Sequence, residues 1–194
     1  MLAASHPRNE KEWEAAWAPY DESTYQAVLN YIRPADRLLE IGAGDLRLAK
    51  RLAGVARLVY AIEINPNVLA RAVQPLPNNL IVILGDALTL KFPTGITCGV
   101  LMMRHCLHFR QYAQKLKDCG ATRLISNARW RFDPEEIDLT CKRSPYERFG
   151  MGWYACWCGA TGFKEGPVEK ISPELMEVVS ELRDCPECYS ERGN

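Results

Sequence analysis

The sequence predicts an α/β protein in which a mostly parallel sheet is covered by helices on both faces, in three layers. Five short apolar runs carry this reading: Arg37–Ile41, Leu58–Ile62, Leu80–Leu84, Gly99–Met103 and Arg123–Ser126. They have strand length and almost no polar alternation, as strands buried on both faces do. Segments with helical spacing of apolar residues lie between them, as crossover connections require. The length of 194 residues, with 47% apolar and 25% charged, suits one domain with a core and falls short of two.

In chain order, residues 1–20 read as an N-terminal arm carrying Trp13, Trp17 and Tyr20. A main domain follows over residues 21–172. Its first helix starts at Asp21 or Ser23 as cap, runs through Ala27, Val28, Tyr31 and Ile32, and stops at Pro34. Leu46–Leu52, Val68–Val73 and Phe109–Cys119 are the expected helices between strands. After Ser126 the rhythm breaks, and residues 127–157 read as a lid or insertion. Phe163–Ile171 is expected to form late strands, and Pro173–Leu182 a helix that opens a C-terminal extension, 173–194, ending in Cys185-Pro186-Glu187-Cys188.

Lys plus Arg and Asp plus Glu both count 24, so no net field favours nucleic acid or an anionic membrane. The opening residues lack the apolar run of a secretory signal, and no stretch approaches the ~20 apolar residues of a membrane span. Eight cysteines without such a signal point to a reducing, cytoplasmic setting, where thiols or a metal site are better uses than disulfides.

The strongest chemical signal is Leu38-Leu39-Glu40-Ile41-Gly42-Ala43-Gly44-Asp45, a strand running through two glycines into a helix. Bare backbone there approaches a ligand beside the helix N-terminus. A dinucleotide site needs a third glycine for close packing, and that position holds Arg47. Glu40, Asp45, Glu63 and Asp86 all fall at ends of expected strands or in the turn after one, on one edge of a parallel sheet. Carboxylates gathered there repel a pyrophosphate and suit a ligand bearing ammonium and sulfonium groups. Glu63 follows Gly44 by about 20 residues, the spacing at which an acid meets ribose hydroxyls. Glu63 and Asp86 also have a plain alternative use, capping the next helix.

These residues resemble the class I, Rossmann-like S-adenosylmethionine-dependent methyltransferases over roughly residues 20–126. Glu40-Ile41-Gly42-Ala43-Gly44 looks like the family's acidic-x-Gly-x-Gly motif, Ala61-Ile62-Glu63-Ile64 like its ribose-binding second strand, and Leu84-Gly85-Asp86-Ala87 like its adenine-binding third strand. The resemblance implies S-adenosylmethionine as cofactor, held by Glu40, Gly42, Ala43, Gly44, Asp45, Glu63, Ile64, Asp86, Ala87 and Met103. Leu46 departs from the pattern, since many members have a third glycine there.

The resemblance also places Met102-Met103-Arg104-His105-Cys106-Leu107-His108-Phe109 beside the transferable methyl. Gly85–Pro93 is similar to rRNA adenine dimethyltransferases, but their Asn-Leu-Pro-Tyr-like motif is absent, and a small-molecule acceptor is slightly favoured over RNA or protein. His105 or His108 is the candidate general base, with packing against a helix as the alternative. Arg104 binds an acidic acceptor or forms a surface ion pair. The aromatic arm, together with Trp130, Phe132, Tyr146, Phe149, Trp153 and Tyr154, is expected over the acceptor, although core packing accounts for many of these. The basic residues of this segment are matched by acids, so it is no nucleic-acid stripe. Two rivals stand: a nicotinamide-dependent oxidoreductase, and a catalytically silent cofactor-binding module.

Cys156-Trp157-Cys158-Gly159 and the Cys185/Cys188 pair together offer the four thiolates of a closed structural zinc site. Ordinary thiols and a redox pair are the other uses, and Trp153–Gly162 also reads as a helix. Cys98, Cys106, Cys119 and Cys141 are expected as small apolar packers.

Overall fold

The computed structural model describes residues 20–104, 106–129 and 133–190. Helix α1 (Glu22–Leu29) is capped by Asp21, whose carboxylate accepts from the Thr24 N–H, and it buries Tyr25 and Val28. Strand β1 (Arg37–Ile41) leads into α2 (Arg47–Ala53), β2 (Leu58–Glu63), the short α3 (Pro66–Leu69) and β3 (Leu80–Leu84). Strand β4 (Cys98–Leu101), α4 (Phe109–Asp118), β5 (Arg123–Ser126) and β6 (Glu135–Asp138) complete a six-stranded sheet of order β3-β2-β1-β4-β5-β6. All neighbours are parallel except β6, which runs antiparallel to β5.

The expected α/β architecture is therefore present, with one apolar core on each face of the sheet. Leu38, Val100 and Ile125 face α1 and α2, while Leu39, Ile41, Leu101 and Leu124 face α4. Adjacent residues on one strand feed opposite cores, which is why these strands show no polar alternation.

A second, three-stranded sheet, order β8-β7-β9, follows: β7 (Gly152–Cys156), β8 (Thr161–Lys164) and β9 (Val179–Leu182). Strand β8 pairs antiparallel with β7, and β9 pairs parallel with it. Helix α5 (Pro173–Glu177) precedes β9, and α6 (Pro186–Ser190) ends the described chain.

Several expectations are corrected here. Trp153–Gly162 is a hairpin rather than a helix, since Trp153, Tyr154 and Ala155 pair with Phe163, Gly162 and Thr161. The helix expected over Pro173–Leu182 stops at Glu177, and Val178 is already extended. The β-branched Val178-Val179 step takes the strand that pairing with β7 offers. The late strand is Thr161–Lys164 and does not reach Ile171, and the helix expected over Val68–Val73 lies instead at Pro66–Leu69. Within the stretch expected as a lid, residues 135–138 add β6 to the large sheet. Among the described residues no helix is long and apolar enough to cross a membrane.

Candidate functional site

The strand order reverses between β1 and β4, whose chains leave for opposite faces and open a crevice beyond their carboxyl ends. The turn after β1 fills that position. Gly42 and Gly44 adopt φ of +74° and +57°, and the Gly42 and Ala43 N–H groups both donate to Ile62 O, at 2.9 and 3.0 Å. A Cβ on Gly42 would sit 2.9 Å from Met103 Cε, so the turn lies directly against the segment after β4, and the end of the Met103 side chain would have to move to admit one. Leu46, at the position where the family often has a third glycine, keeps the glycine-like geometry at φ +67°. That conformation costs a non-glycine residue roughly 1–2 kcal/mol. Its side chain is buried in the α1/α2 core, which offsets the strain.

Glu63 is buried at the end of β2, and its two carboxylate oxygens accept from the Gly44 and Asn65 N–H groups, both at 2.8 Å. It therefore ties the glycine turn to the next helix, and its remaining lone pairs can still accept from a ligand. Asp86 accepts from the Leu88 N–H at 2.8 Å and is half-buried beside the buried Ala87. Asp45 pairs with Arg47 at 2.6 Å, and Ile64 is exposed beyond β2.

Glu40 differs from the other acids. It is 3% exposed, and its Oε2 has no hydrogen-bond partner. Burial, with the nearby charges of Glu63 and Asp45, pushes its carboxyl up to about 8. An acid held neutral beside two others is poised to ionise when a cation arrives.

On the acceptor side, the Tyr20 hydroxyl donates to Met102 O at 3.2 Å and the Arg104 guanidinium lies 5.2 Å from the centre of the Tyr20 ring. His108 is exposed, with Nδ1 2.8 Å from Gln111 Oε1 and its ring edge-on to Tyr112. His105, Trp13, Trp17, Trp130 and Phe132 lie outside the described residues. Tyr146 and Phe149 pack edge-on against Tyr154, within the small sheet's own core.

Sequence reasoning missed Asn127. It follows β5, level with the Met102 that follows β4, and is fully buried, yet neither side-chain amide atom has a partner. A buried amide left unpaired costs about 1–3 kcal/mol. The signal was present, because Asn127 follows its strand as Asp86 follows β3. Arg129 was also missed as a connector: its buried guanidinium pairs with Glu135 at 3.0 Å and with Glu181 of β9 at 2.7 Å.

Residues 39–121 match the family described as a methyltransferase domain, the stretch from β1 through α4 that builds this crevice. Over that stretch, less than half of the chain, the protein is similar to a methyltransferase domain. Among curated relatives, the probable ribosomal RNA small subunit methyltransferase A of Pyrobaculum islandicum is 33% identical over 73 residues, 38% of this chain and 31% of the relative. The protein of the same name from Methanothermobacter thermautotrophicus is 42% identical over 76 residues, 38% of this chain and 28% of the relative. The chain thus spans under a third of the length of the curated relatives it matches. Among solved structures, the N-methyltransferase NodS from Bradyrhizobium japonicum, in complex with S-adenosylhomocysteine, is 16% identical with a TM-score of 0.49, covering 61% of this chain and 67% of that one.

Beyond the large sheet, the structure brings together Cys156, Cys158, Cys185 and Cys188, whose sulfurs all lie within 4.8 Å of one another. Cys98 packs in the α1/α2 core, where burial pushes its thiol up to about 12. Cys106 and Cys119 pack against the α4 core, and Cys141 is half-buried.

Proposed function

We propose that this protein transfers the methyl group of S-adenosylmethionine to a small-molecule acceptor. The supporting observation is the gathering of Glu40, Asp45, Glu63 and Asp86 around a glycine turn at one sheet edge. An acidic crevice fits a ligand carrying an ammonium and a sulfonium. Glu63 and Asp86 are assigned to ribose and adenine, and Glu40 to the cationic end.

In the reaction an acceptor lone pair forms a bond to the methyl carbon while the C–S bond breaks, its electrons passing to sulfur, which leaves as a neutral thioether. Alignment supplies much of the rate. A base is needed only where the acceptor must lose a proton, and His105 and His108 are the candidates. Asn127, with two donors and an acceptor unused, is suited to hold a polar acceptor. The four clustered thiols take no part in transfer and are assigned a structural zinc.

A small acceptor is favoured because the buried basic groups near the acceptor side are already paired. Arg129 and Arg143 both bind Glu181. RNA is the second reading, supported by the names of the two curated relatives.

S-adenosylhomocysteine should raise the melting temperature as its concentration exceeds its dissociation constant, and NAD should not. Stabilisation by NAD alone overturns the cofactor assignment. Methyl-labelled cofactor offered with metabolite, RNA and protein fractions then identifies the acceptor class. Label entering RNA selects the second reading, and binding without any transfer selects the silent module.

A further inference from the structure

We infer that Cys156, Cys158, Cys185 and Cys188 bind one zinc ion as four thiolates, and that this centre holds the acceptor-side wall of the methyltransferase domain. With methyl transfer as proposed above, the wall serves the acceptor and not the cofactor.

Three of the six sulfur–sulfur edges have the length of a tetrahedron around a single ion, and the rest lie within 4.8 Å. Cys156 and Cys188 sulfurs are 3.6 Å apart, Cys158 and Cys185 3.7 Å, and Cys185 and Cys188 3.8 Å. Four sulfurs bound at about 2.3 Å in a tetrahedron have edges of about 3.8 Å. A disulfide needs its sulfurs at about 2.05 Å. Soft thiolates select zinc over the oxygen-seeking magnesium and calcium. An iron–sulfur cluster is larger than one ion and holds its thiolates further apart.

The backbone presents these sulfurs before any ion arrives. Cys156 ends β7, and the turn after it is closed by Gly159 N–H to Cys156 O at 2.9 Å and Cys156 N–H to Ala160 O at 2.8 Å. Gly159 takes φ +103°, which few other residues adopt. Parallel pairing sets Leu182 of β9 beside Cys156, and three residues later the chain delivers Cys185 and then Cys188. The Cys188 N–H donates to Cys185 O at 3.0 Å. All four ligands come from protein, so no position is open for substrate and the ion is structural.

The same turn rests on the methyltransferase domain. A Cβ at Gly159 would come within 3.0 Å of Phe109 Cβ, the first residue of α4 and the end of the acceptor-side segment 102–109. Trp157, between two of the ligands, is buried in the α4 core, and the Arg143 guanidinium lies 4.3 Å from its ring centre. Arg129 stacks on Phe109 at 5.4 Å while pairing with Glu181 of β9. Two chain segments at the end of the transfer site, after β4 and after β5, are therefore braced by the small sheet.

The test uses the full chain, purified without added metal or chelator. Elemental analysis is expected to give one zinc per chain, lost in the Cys185→Ser/Cys188→Ser variant and retained in Cys141→Ser. Zinc is then stripped from the folded wild type with a chelator, which keeps the test valid should the double variant misfold. Hydrogen exchange across residues 106–116 is expected to speed at least tenfold, while the dissociation constant for S-adenosylhomocysteine moves less than threefold. Zinc below a tenth of an equivalent, or iron in its place, overturns the zinc site. Zinc bound but exchange over 106–116 unchanged on its removal overturns the wall. A failure to bind S-adenosylhomocysteine at all, with zinc present, strikes the proposed function and leaves the metal centre standing.

Discussion

The large sheet closes its two cores with aliphatic side chains: Leu38, Leu39, Ile41, Leu101 and Leu124 are all essentially without exposure. The small sheet's core cluster is built on Tyr154 and Leu182, and its other buried members are Cys156, Cys185 and Cys188. Three strands cannot bury enough apolar surface to repay their ordering, so a cross-link must supply cohesion that Leu and Ile supply elsewhere. One chain thus uses two materials, and the boundary between them runs along Phe109, Arg129 and Trp157.

The widest separation should appear between core and metal. Leu38→Ala is expected to cost about 2–5 kcal/mol in urea unfolding, because a fully buried side chain leaves a cavity. That loss should be the same with and without chelator; a loss that grows when zinc is stripped would show the two cores to be one.

A pH-dependent effect is expected at Glu40. Its carboxyl sits at about 8 in the folded chain against an ordinary value near 4.5, so between those limits the folded state binds the extra proton. Stability should therefore fall as pH rises through this window. Glu40→Gln should abolish that fall, giving a gain of up to about 5 kcal/mol at pH 9 and none at pH 4. Parallel stability curves for the two proteins would place the Glu40 charge in water.

Glu63→Ala should weaken S-adenosylhomocysteine binding by roughly 1.5–3 kcal/mol, the worth of charge-assisted hydrogen bonds, and calorimetry reads this directly. The change should be equal in zinc-loaded and stripped protein. Unaltered affinity would reduce Glu63 to the anchor of Gly44 and Asn65.

The finest test separates Leu46→Gly from Leu46→Ala. Both lose a buried side chain, but at φ +67° the glycine variant should be the more stable of the two by about 1 kcal/mol. In an ordinary helical position the order is reversed.

The parallel strands were legible because burial on both faces writes itself as unbroken apolar runs, as in Leu58–Glu63 and Cys98–Leu101. The acidic edge was legible for a related reason, since an acid that closes such a run has only the strand end to occupy. The small sheet was not. Strand β7 mixes Trp153 and Tyr154 with Gly152 and Ala155, a composition shared by helices and strands, and its partner β9 lies far along the chain. The pairing that makes Val179–Leu182 a strand is long-range, so local periodicity pointed to a helix. Asn127 escaped notice because amides, unlike carboxylates, attract no attention until their missing partners can be counted.

The placement of the thiols also sets a timetable for synthesis. Strand β6 ends at Asp138, so every strand of the large sheet has left the ribosome before Cys156 appears. Cys156 and Cys188 are 32 residues apart. At about 5–20 residues per second, that interval lasts roughly 2–6 s. For those seconds the nascent chain shows a half-built pair of thiols beside an already folded neighbour, open to oxidants or to a metal held by only two sulfurs. The last ligand to emerge seals the protein, and the cell's supply of reductant and zinc decides what it seals around.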